Sequence, residues 1–448
     1  MNDTIAALAT PHGESAIAVV RISGGQSLEI LSGAFFREQI APRRMYYGRY
    51  YSRGGVALDE CMFVFFCGKS SYSGEDSAEI HTHGNMIIAA KILDDLCGRG
   101  CRLANRGEFT RRAFLNRKLD LCQAEAVADV IHASSEAALA VAQKQLTGKL
   151  SEKLHSMGDG LVKILAVLET HIDFTEEEVG GNELGGRIGE QLDAAVAGID
   201  LLLSSNRYHS VLSGGLNVAI IGAPNAGKSS LLNCLLGRER ALVSPIAGTT
   251  RDFIAERTML GGHAVNLFDT AGLRPDADSE LERWGMEKSI EQIRCADAYV
   301  LVVDSAAPKP VLAGEIFPLL RENNCLVLEN KNDLPHSQSW EDFLALCEHH
   351  SLSVLNEPER AKALVANFLA KHCFLPTEVD IVVNGRHVNA LTRVKQALIR
   401  AGRSLSSIGV EFSANDLRNA LEALGEITGC YDSEAMLDEL FSTFCVGK

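Results

Sequence analysis

The feature that most constrains this chain is the stretch Gly222-Ala-Pro-Asn-Ala-Gly-Lys-Ser-Ser230, which fits the pattern G-x-x-x-x-G-K-[ST]. It follows an apolar run at 217–221 and precedes leucines with amphipathic helical spacing. In such a turn, backbone N–H groups and the helix N-terminus surround phosphate oxygens, and the lysine reaches the outer phosphates. The stretch therefore predicts a phosphate-binding loop with Ser229 as a Mg2+ ligand, the alternative being a glycine-rich turn without a ligand.

Three further motifs follow in the order expected of a GTP-binding domain. Asp269-Thr-Ala-Gly272 ends a strand-like run at 264–268, which places a carboxylate near the magnesium and an amide near the γ-phosphate. Thr250 is the expected magnesium-binding switch threonine. Asn330-Lys331-Asn332-Asp333 follows a strand at 325–328, and its carboxylate can accept two N–H bonds from guanine but meets no donor pair on adenine. Together the motifs predict a GTPase domain of the translation-factor type.

The nucleotide contacts are expected from four short segments. They are Asn225, Ala226, Gly227, Lys228, Ser229, Ser230, Ser244, Pro245, Ile246, Ala247, Gly248, Thr249, Thr250, Asp269, Thr270, Ala271, Gly272, Asn330, Lys331, Asn332 and Asp333. Strands at 217–221, 264–268, 298–303 and 325–328 alternate with helical segments, which predicts an α/β Ras-like domain with a mainly parallel sheet.

Composition sets limits on the class of protein. A chain of 448 residues suggests about three domains. The net charge of −15 argues against a general polyanion binder, so any surface for nucleic acid must be local. We find no apolar run of the ~18 residues that a membrane span needs, and the N-terminus lacks the features of a signal peptide. A cytoplasmic protein with no membrane association is expected.

The twelve cysteines are scattered, without a C-x-x-C pair or a zinc spacing. Most are interpreted as small buried apolar residues. Cys97 and Cys101 could form a functional pair, although a reducing cytosol disfavours a disulfide.

The pattern of apolar residues divides the chain into four segments. Residues 1–118 form an expected α+β unit, with strands at 15–22 and 60–67 and a helix at 89–97. Helical periodicity dominates 119–210 and returns in 376–448. Residues 211–375 hold the GTPase unit, an arrangement consistent with a domain inserted into a helical one. The fold class is therefore multidomain.

Two features of the first segment have alternative interpretations. His81 and His83 lie on one face of an alternating run at 79–83, where sheet residues are favoured over metal ligands because no third ligand is evident. Six basic residues and one acidic residue occupy 102–118. That run is either a solvated helix face or, as we favour, an anion site for nucleic acid or a charged cofactor.

Several stretches together resemble one family, the tRNA-modifying GTPases called MnmE or TrmE. The most specific are Gly107-Glu-Phe-Thr-Arg-Arg-Ala-Phe-Leu-Asn116 and the terminal Phe444-Cys-Val-Gly-Lys448. Similar stretches include Ser73-Gly-Glu-Asp76, Ile246-Ala-Gly-Thr-Thr-Arg-Asp252 and Leu424-Gly-Glu-Ile-Thr-Gly429. The GTPase motifs alone would be shared with ribosome-assembly GTPases, whereas this resemblance covers all segments and both termini.

The resemblance implies an N-terminal domain that forms a homodimer and binds a one-carbon donor, 5,10-methylenetetrahydrofolate or 5-formyltetrahydrofolate. By position the folate contacts fall on Arg21, Glu79, Lys118 and Lys448. Basic side chains suit the glutamate carboxylates of a folate, and a carboxylate suits the pterin N–H edge. The helical domain would form from both flanks of the inserted GTPase domain.

The resemblance also implies a flavin-dependent partner that carries FAD, MnmG, in a heterotetramer. Together the two proteins install an aminomethyl or carboxymethylaminomethyl group on carbon 5 of the wobble uridine of tRNA. The family's terminal cysteine, here Cys445, is needed for modification, while a buried structural thiol is the alternative. A regulatory GTPase switch in ribosome assembly or RNA binding is the competing function, and it would need neither the folate block nor this cysteine.

Hydrolysis requires a group that orients water, and Ras-like proteins use a glutamine just after the Asp-x-x-Gly motif. Here that position is Leu273. The resemblance places the general base on Glu282, with Glu280 as the near rival. It implies K+ in place of an arginine finger, with ligands at Asn225, Ser244, Ile246 and Thr249.

One departure from the family concerns guanine. The fifth guanine motif, usually Ser-Ala followed by Lys or Arg, should lie near 352–355, where no such triplet is found. Weakened affinity for the base is therefore a possibility that the sequence leaves open.

Overall fold

The computed structural model describes residues 3–173, 181–237, 256–269, 294, 296–307, 317–335, 347–373, 380–407, 409–430 and 434–447. The chain forms two compact units. Unit 1 comprises Met1–Ala128, Lys144–Ile199 and Arg386–Lys448. Unit 2 comprises Asp129–Gln143 and Asp200–Gly385.

The strands, in chain order, are β1 Thr4–Leu8, β2 Ser15–Ser23, β3 Tyr46–Tyr51, β4 Ala57–Phe66, β5 Ser77–Gly84, β6 Cys101–Leu103, β7 Leu216–Ile221, β8 Glu256–Leu260, β9 His263–Asp269, β10 Ala298–Asp304, β11 Cys325–Asn330 and β12 Glu348–Ser351. The helices are α1 Ser27–Phe35, α2 Met86–Gly98, α3 Glu108–Leu115, α4 Leu121–His132, α5 Glu136–Leu146, α6 Lys149–Asp173, α7 Gly181–Ser205, α8 His209–Gly214, α9 Lys228–Leu236, α10 Pro358–His372, α11 Gly385–Ser407, α12 Val410–Thr428 and α13 Glu434–Ser442.

Unit 1 contains a sheet with the strand order β3-β4-β5-β2-β1-β6. Its pairs are antiparallel except for β1 with β6. Apolar side chains that alternate along β2, among them Val20 and Ile22, pack with Leu31 of α1 and Ile92 of α2 in one core. Strand β2 therefore buries every second side chain under these helices, and Arg21, on its other face, remains available for polar contacts.

Three helices, α4, α5 and α6, follow the sheet in the segment where the sequence predicts helical periodicity. The break after α4 has a local cause, since Ser135 Oγ accepts a hydrogen bond from the Ala138 amide at 3.1 Å and caps α5. Gly148, with φ of 92°, separates α5 from α6. Helix α6 packs against α12, and its buried Leu154, Leu161 and Leu168 recur at helical spacing.

Unit 2 contains a sheet with the strand order β12-β11-β10-β7-β9-β8. All its pairs are parallel except the edge pair of β8 with β9. Both faces are apolar: Val218, Val300 and Leu326 belong to one core cluster, and Ala219 and Leu301 to a second. Burial on both faces is typical of parallel sheets, and the prediction of a mainly parallel α/β sheet is confirmed.

The expected elements 15–22, 60–67 and 89–97 correspond to β2, β4 and α2. Short or polar elements were not predicted, including β6 and β12, because three or four residues carry too little periodicity. None of the helices in the described ranges is both long and apolar enough to cross a lipid bilayer.

Candidate functional site

The phosphate loop, residues 222–230, lies between β7 and α9 as the sequence predicts. Gly222 has a φ of 151°, and a Cβ built on it would lie 2.2 Å from the Val302 carbonyl oxygen. Gly227 has a φ of 104°, and a Cβ there would lie 2.1 Å from Asn330 Nδ2. Neither position has space for a side chain, so the two glycines are required by close packing as well as by backbone conformation.

The lysine of the loop is held inside it. Lys228 is buried, and its Nζ donates hydrogen bonds to the carbonyl oxygens of Gly222 at 3.1 Å and Ala223 at 2.9 Å. Asn225, at the top of the loop, has a φ of 64°. This is the curled loop that surrounds phosphate oxygens with backbone N–H groups, and the ammonium group lies at its centre.

Asn330 joins the phosphate loop to the guanine motif. Its Nδ2 donates to the Ala226 carbonyl oxygen at 2.8 Å, and its Oδ1 accepts from the Val354 amide at 2.9 Å. Because the side chain is buried and both ends are bonded, its rotamer is fixed. Asn330 therefore aligns three segments: the phosphate loop, the end of β11 and the loop after β12.

The neighbouring lysine is also held by the protein. Lys331 has a φ of 65°, and its Nζ lies 2.6 Å from Asp304 Oδ2 at the end of β10. Ser305 Oγ donates to the Lys331 carbonyl oxygen at 2.9 Å. The turn that presents Asp333 is therefore attached to the next strand of the sheet.

A cavity of about 470 Å3 opens between the phosphate loop and the guanine motif. Most of the predicted nucleotide contacts that lie in described ranges line it, namely Asn225, Gly227, Lys228, Ser229, Ser230, Asn330, Lys331 and Asp333. Ala226 is buried and accepts from Asn330, and the Asn332 amide donates to the Leu352 carbonyl oxygen at 3.5 Å. The cavity thus brings the predicted phosphate-binding residues and the predicted guanine-binding carboxylate Asp333 to one place.

One wall of this cavity carries residues that were not among the predicted nucleotide contacts. Ser353, Leu355 and Asn356 line it from the loop after β12, at the place where the fifth guanine motif was expected. The Glu357 amide donates to the Ser353 carbonyl oxygen at 2.7 Å, which closes this loop into a turn. In the sequence, Ser353 followed by the small apolar Val354 resembles the first two residues of that motif. The hydrogen bond from the Val354 amide to Asn330 holds this segment against the guanine motif.

Several predicted residues fall outside the described ranges. These are the switch-loop residues Ser244, Pro245, Ile246, Ala247, Gly248, Thr249 and Thr250, the residues Thr270, Ala271 and Gly272, the candidate bases Glu280 and Glu282, and Lys448. Asp269 ends β9, and its backbone alone is described. Their roles remain predictions.

A second cluster lies in unit 1, where two predicted folate contacts meet. Arg21 and Glu79 are paired across β2 and β5, and the Arg21 guanidinium donates to Glu79 Oε1 at 3.0 and 2.8 Å. The rings of Tyr72 and Phe109 lie 5.5 and 5.7 Å from the guanidinium carbon. The third predicted contact, Lys118, donates from its Nζ to the Lys69 carbonyl oxygen at 2.7 Å.

The end of the chain contacts this cluster. Arg21 Nη1 donates to the Gly447 carbonyl oxygen at 3.4 Å, and the Gly107 amide donates to the Cys445 carbonyl oxygen at 3.3 Å. A Cβ on Gly447 would lie 2.4 Å from the Leu8 carbonyl oxygen, so the tail lies tight against β1. Cys445 itself is exposed, which excludes the buried thiol of the alternative interpretation.

Three of the six basic residues at 102–118 form ion pairs with carboxylates of the same chain. Arg112 is 1% exposed and pairs with Asp3, Glu75 and Glu108 at 2.9 to 3.0 Å. Arg102 also pairs with Asp3 and Glu108, and Arg111 with Asp438. Burial alone would raise the pKa of Glu108, but its bonds to Arg102 and Arg112 lower it. For these three arginines, therefore, the structure corrects the favoured anion-site interpretation.

A third cluster, which the sequence did not indicate, joins α4 to α11. Arg386 donates to Glu125 through Nε at 2.7 Å and Nη2 at 3.1 Å, and His387 Nε2 lies 2.8 Å from Glu125 Oε2. Burial would raise the pKa of Glu125, but His387 and Arg386 outweigh it and lower the pKa to about 2. The carboxylate therefore stays ionised within the helical part of unit 1.

Comparison with known proteins agrees with this architecture. The family "GTP-binding protein TrmE N-terminus" matches residues 4–118. The family "MnmE helical domain" matches residues 121–445. A variant of Era from Aquifex aeolicus, solved with GDP and AlF4−, aligns with a TM-score of 0.26 and 24% identity over 41% of this chain and 66% of that chain, too small an overlap to decide the fold.

Curated relatives match over their whole length. The chain is 43% identical to a tRNA modification GTPase MnmE of Opitutus terrae, covering 100% of this chain and 99% of the relative. It is 38% identical to the protein of the same name from Geotalea uraniireducens, covering 100% of both. With the phosphate loop, the guanine motif and the folded tail in place, these matches show a GTP hydrolase that belongs to the MnmE family of tRNA modification GTPases.

Proposed function

We propose that this GTPase acts with a flavin-dependent partner of the MnmG type, which carries FAD, on carbon 5 of the wobble uridine of tRNA. The added group is aminomethyl or carboxymethylaminomethyl, and its carbon comes from a tetrahydrofolate. The observation that supports this most directly is the contact between Arg21 and Gly447. It brings the segment that carries the exposed Cys445 to the pair that we assign to the one-carbon donor.

The nucleotide site supports GTP turnover in the following way. Backbone amides of the phosphate loop and Lys228 hold the phosphates, and Asp333 selects guanine. Ser229, in the first turn of α9, is suited to hold Mg2+ together with Thr250. The magnesium supplies charge that offsets the phosphate oxygens during hydrolysis.

We assign a potassium site to Asn225, Ser244, Ile246 and Thr249. Asn225 lines the cavity beside Lys228 and offers a side-chain oxygen of the kind that replaces the hydration shell of a monovalent cation. Turnover should be much faster in KCl than in NaCl at equal ionic strength, and Asn225→Ala should lose most of this difference while still binding GTP. Matching curves in the two salts would contradict the assignment.

Glu282 is the proposed general base, acting on the attacking water, because Leu273 cannot orient water. Glu282→Ala should slow hydrolysis by ~10² or more with nucleotide affinity near normal. Glu280→Ala is the matched control, since it removes a carboxylate two residues away. An equal loss in Glu280→Ala with normal hydrolysis in Glu282→Ala would move the base to Glu280.

The one-carbon donor fits the cluster around Arg21. A folate needs a carboxylate for its pterin edge, a cation for its glutamate and flat surfaces for its rings. Glu79 supplies the carboxylate, which Arg21 holds by two hydrogen bonds, and the rings of Tyr72 and Phe109 beside Arg21 supply the flat surfaces. Lys118 and Lys448 are then the cations for the glutamate. His81 Nε2 is buried 3.5 Å from Glu79 Oε2 and has no hydrogen-bond partner among the described residues, so it can bond a ligand there.

Titration calorimetry with 5-formyltetrahydrofolate tests the assignment without relying on activity. Arg21→Ala should weaken binding strongly, and Lys118→Ala and deletion of Lys448 should weaken it less. Arg49→Ala, which removes an exposed arginine of the same sheet, is the control and should bind normally.

Modification itself is tested by mass spectrometry of tRNA nucleosides from a strain that lacks this protein. Loss of the modified wobble uridine, restored by the normal chain, is expected. Cys445→Ser should restore GTP hydrolysis but not modification, because the tail is separate from the nucleotide motifs in sequence. Normal modification with Cys445→Ser would remove the thiol from the reaction.

We infer the following assembly. Residues 1–118 form the homodimerisation and folate domain, 119–210 and 376–448 the helical domain, and 211–375 the GTPase domain. Two copies of each protein would form the heterotetramer with the MnmG-type partner. Because tRNA is the substrate, we place the reaction in the cytoplasm.

A further inference from the structure

Two cysteines lie side by side at one end of the sheet in unit 2. Strands β11 and β12 are parallel, and their first register pair is Leu326 with Glu348. Cys325 and Cys347 each directly precede a member of this pair. Adjacent parallel strands are about 4.8 Å apart, and disulfides join cysteines whose Cα atoms are about 4.4–6.8 Å apart. The backbone spacing therefore suits a cross-strand bond.

The two side chains also lie on the same face. Cys325 belongs to the core cluster that contains Tyr299 and Val327, and Cys347 packs against that cluster. Leu326, whose side chain alternates with that of Cys325, belongs to the cluster on the opposite face. Cys347 lies in a bend just before β12, outside the hydrogen-bonded ladder of the strand.

The chemistry of the thiols differs. Cys325 is fully buried, and the neighbouring Cys347 thiol, together with burial, raises the pKa of Cys325. The neighbouring Cys325 thiol lowers the pKa of Cys347, which is half-buried and reachable from solvent. Cys347 is thus the nucleophile and Cys325 the resolving thiol.

We propose that Cys325 and Cys347 form a reversible redox site that is oxidised by small disulfides of the glutathione class. The Cys347 thiolate attacks one sulfur of the small disulfide, forms a mixed disulfide and releases one thiolate. The Cys325 sulfur then attacks Cys347 Sγ, its proton passes to the second leaving thiolate, and the protein disulfide forms. Two protein thiols are oxidised, one small disulfide is reduced, and two small thiols are released.

The site lies at the ends of β11 and β12 opposite the nucleotide. Asn330 is five residues along β11 from Cys325, which corresponds to ~17 Å at strand spacing. The bond would fix the pairing of these strands without entering the cavity. GTP turnover is therefore expected to change by less than about twofold on oxidation, which makes it a check that the protein remains folded.

The experiment incubates the full-length protein in buffers of oxidised and reduced glutathione, blocks free thiols with N-ethylmaleimide and analyses peptides by mass spectrometry. A cross-linked peptide that joins Cys325 to Cys347, lighter by two hydrogens and removed by dithiothreitol, is expected. Cys325→Ala, which keeps a small apolar group in the core, should stop at the mixed disulfide on Cys347. Cys347→Ser should leave Cys325 reduced.

Cys373 and Cys234 are matched internal controls, because both are partly buried thiols of the same unit whose pKa burial raises. At pH 7.5, Cys347 should react with iodoacetamide at least ~10-fold faster than either, since the thiolate is the nucleophile. The proposal is overturned if Cys347 reacts no faster than Cys373. The proposal is also overturned if no cross-link forms at the highest ratio of oxidised to reduced glutathione, or if Cys325 is oxidised in Cys347→Ser.

Discussion

The two units build their polar sites in different ways. In unit 2 the nucleotide residues directly follow strands: the phosphate loop follows β7 and the guanine motif follows β11. In unit 1 the polar clusters join distant segments, as Arg21 joins Gly447 and Glu125 joins Arg386.

The difference follows from the topology. The carboxyl ends of parallel strands meet at one edge, so short motifs in chain order converge there. In a mainly antiparallel sheet with helices from both ends of the chain, side chains meet only after packing. We therefore expect mutations in unit 2 to act on nucleotide binding and mutations in unit 1 to act on stability, the tail and the proposed folate site.

The largest effect is expected from Asp333→Asn. The amide replaces one of the two acceptor oxygens with an NH2 donor, which suits the extra carbonyl oxygen of xanthine but faces an N–H group of guanine, and polar sites reject a mismatched partner by ~10⁴ or more. Competition binding should show preference move from GTP to XTP by about this factor. Glu329→Gln, one residue before the motif, is the control and should keep the preference for GTP. Unchanged GTP affinity in Asp333→Asn would remove Asp333 from the base site.

A large effect on stability is expected from Glu125→Gln. It leaves Arg386 without its carboxylate in a buried cluster, and breaking a buried ion pair costs about 3–5 kcal/mol. Urea unfolding of unit 1 measures this change. Glu426→Gln, which removes a carboxylate from the exposed pair with Arg393, should cost under about 1 kcal/mol. Equal losses would show that the Glu125 cluster contributes no more than a surface pair.

Two glycine substitutions compare the units directly. Gly227→Ala meets Asn330 Nδ2 at 2.1 Å with φ of 104°, so GTP affinity should fall by ~10² from backbone strain and displacement. Gly447→Ala meets the Leu8 carbonyl oxygen at 2.4 Å and should displace the tail while leaving GTP affinity unchanged. Fluorescent nucleotide titration measures the first effect, and protease sensitivity of the tail the second. Loss of GTP affinity with Gly447→Ala would contradict the separation of roles.

The smallest effect concerns pH. The pKa of Glu125 is depressed from 4.5 to about 2, so its stabilisation is fully present above pH 4.5 and is lost as pH falls towards 2. At pH 3.5 the free energy of unfolding should be lower by about 1 kcal/mol than at pH 6 because of this one group. The stability difference between the normal chain and Glu125→Gln should shrink by this amount between pH 6 and 3.5. A constant difference would mean that the carboxylate has an ordinary pKa.

The sequence predicted correctly the position of segments whose residues are adjacent in the chain. Gly227 and Lys228 lie in one loop whose pattern specifies their backbone, and Asp333 follows a strong apolar strand. It placed the fifth guanine segment at 352–355 but found no motif there, and only the folded chain shows that the Val354 amide bonds Asn330 and that Ser353 lines the cavity. It also misjudged Arg112, because a charge run does not show that Asp3, Glu75 and Glu108 will surround it.

The sequence by itself determined the parallel sheet, the order of the nucleotide motifs and the resemblance to the family, because strand periodicity and short-range turns are properties of adjacent residues. Tertiary structure alone decided that three carboxylates surround Arg112, that Glu125 pairs with Arg386 and that Cys325 lies beside Cys347. These contacts join residues far apart in sequence, and their geometry depends on how whole elements pack.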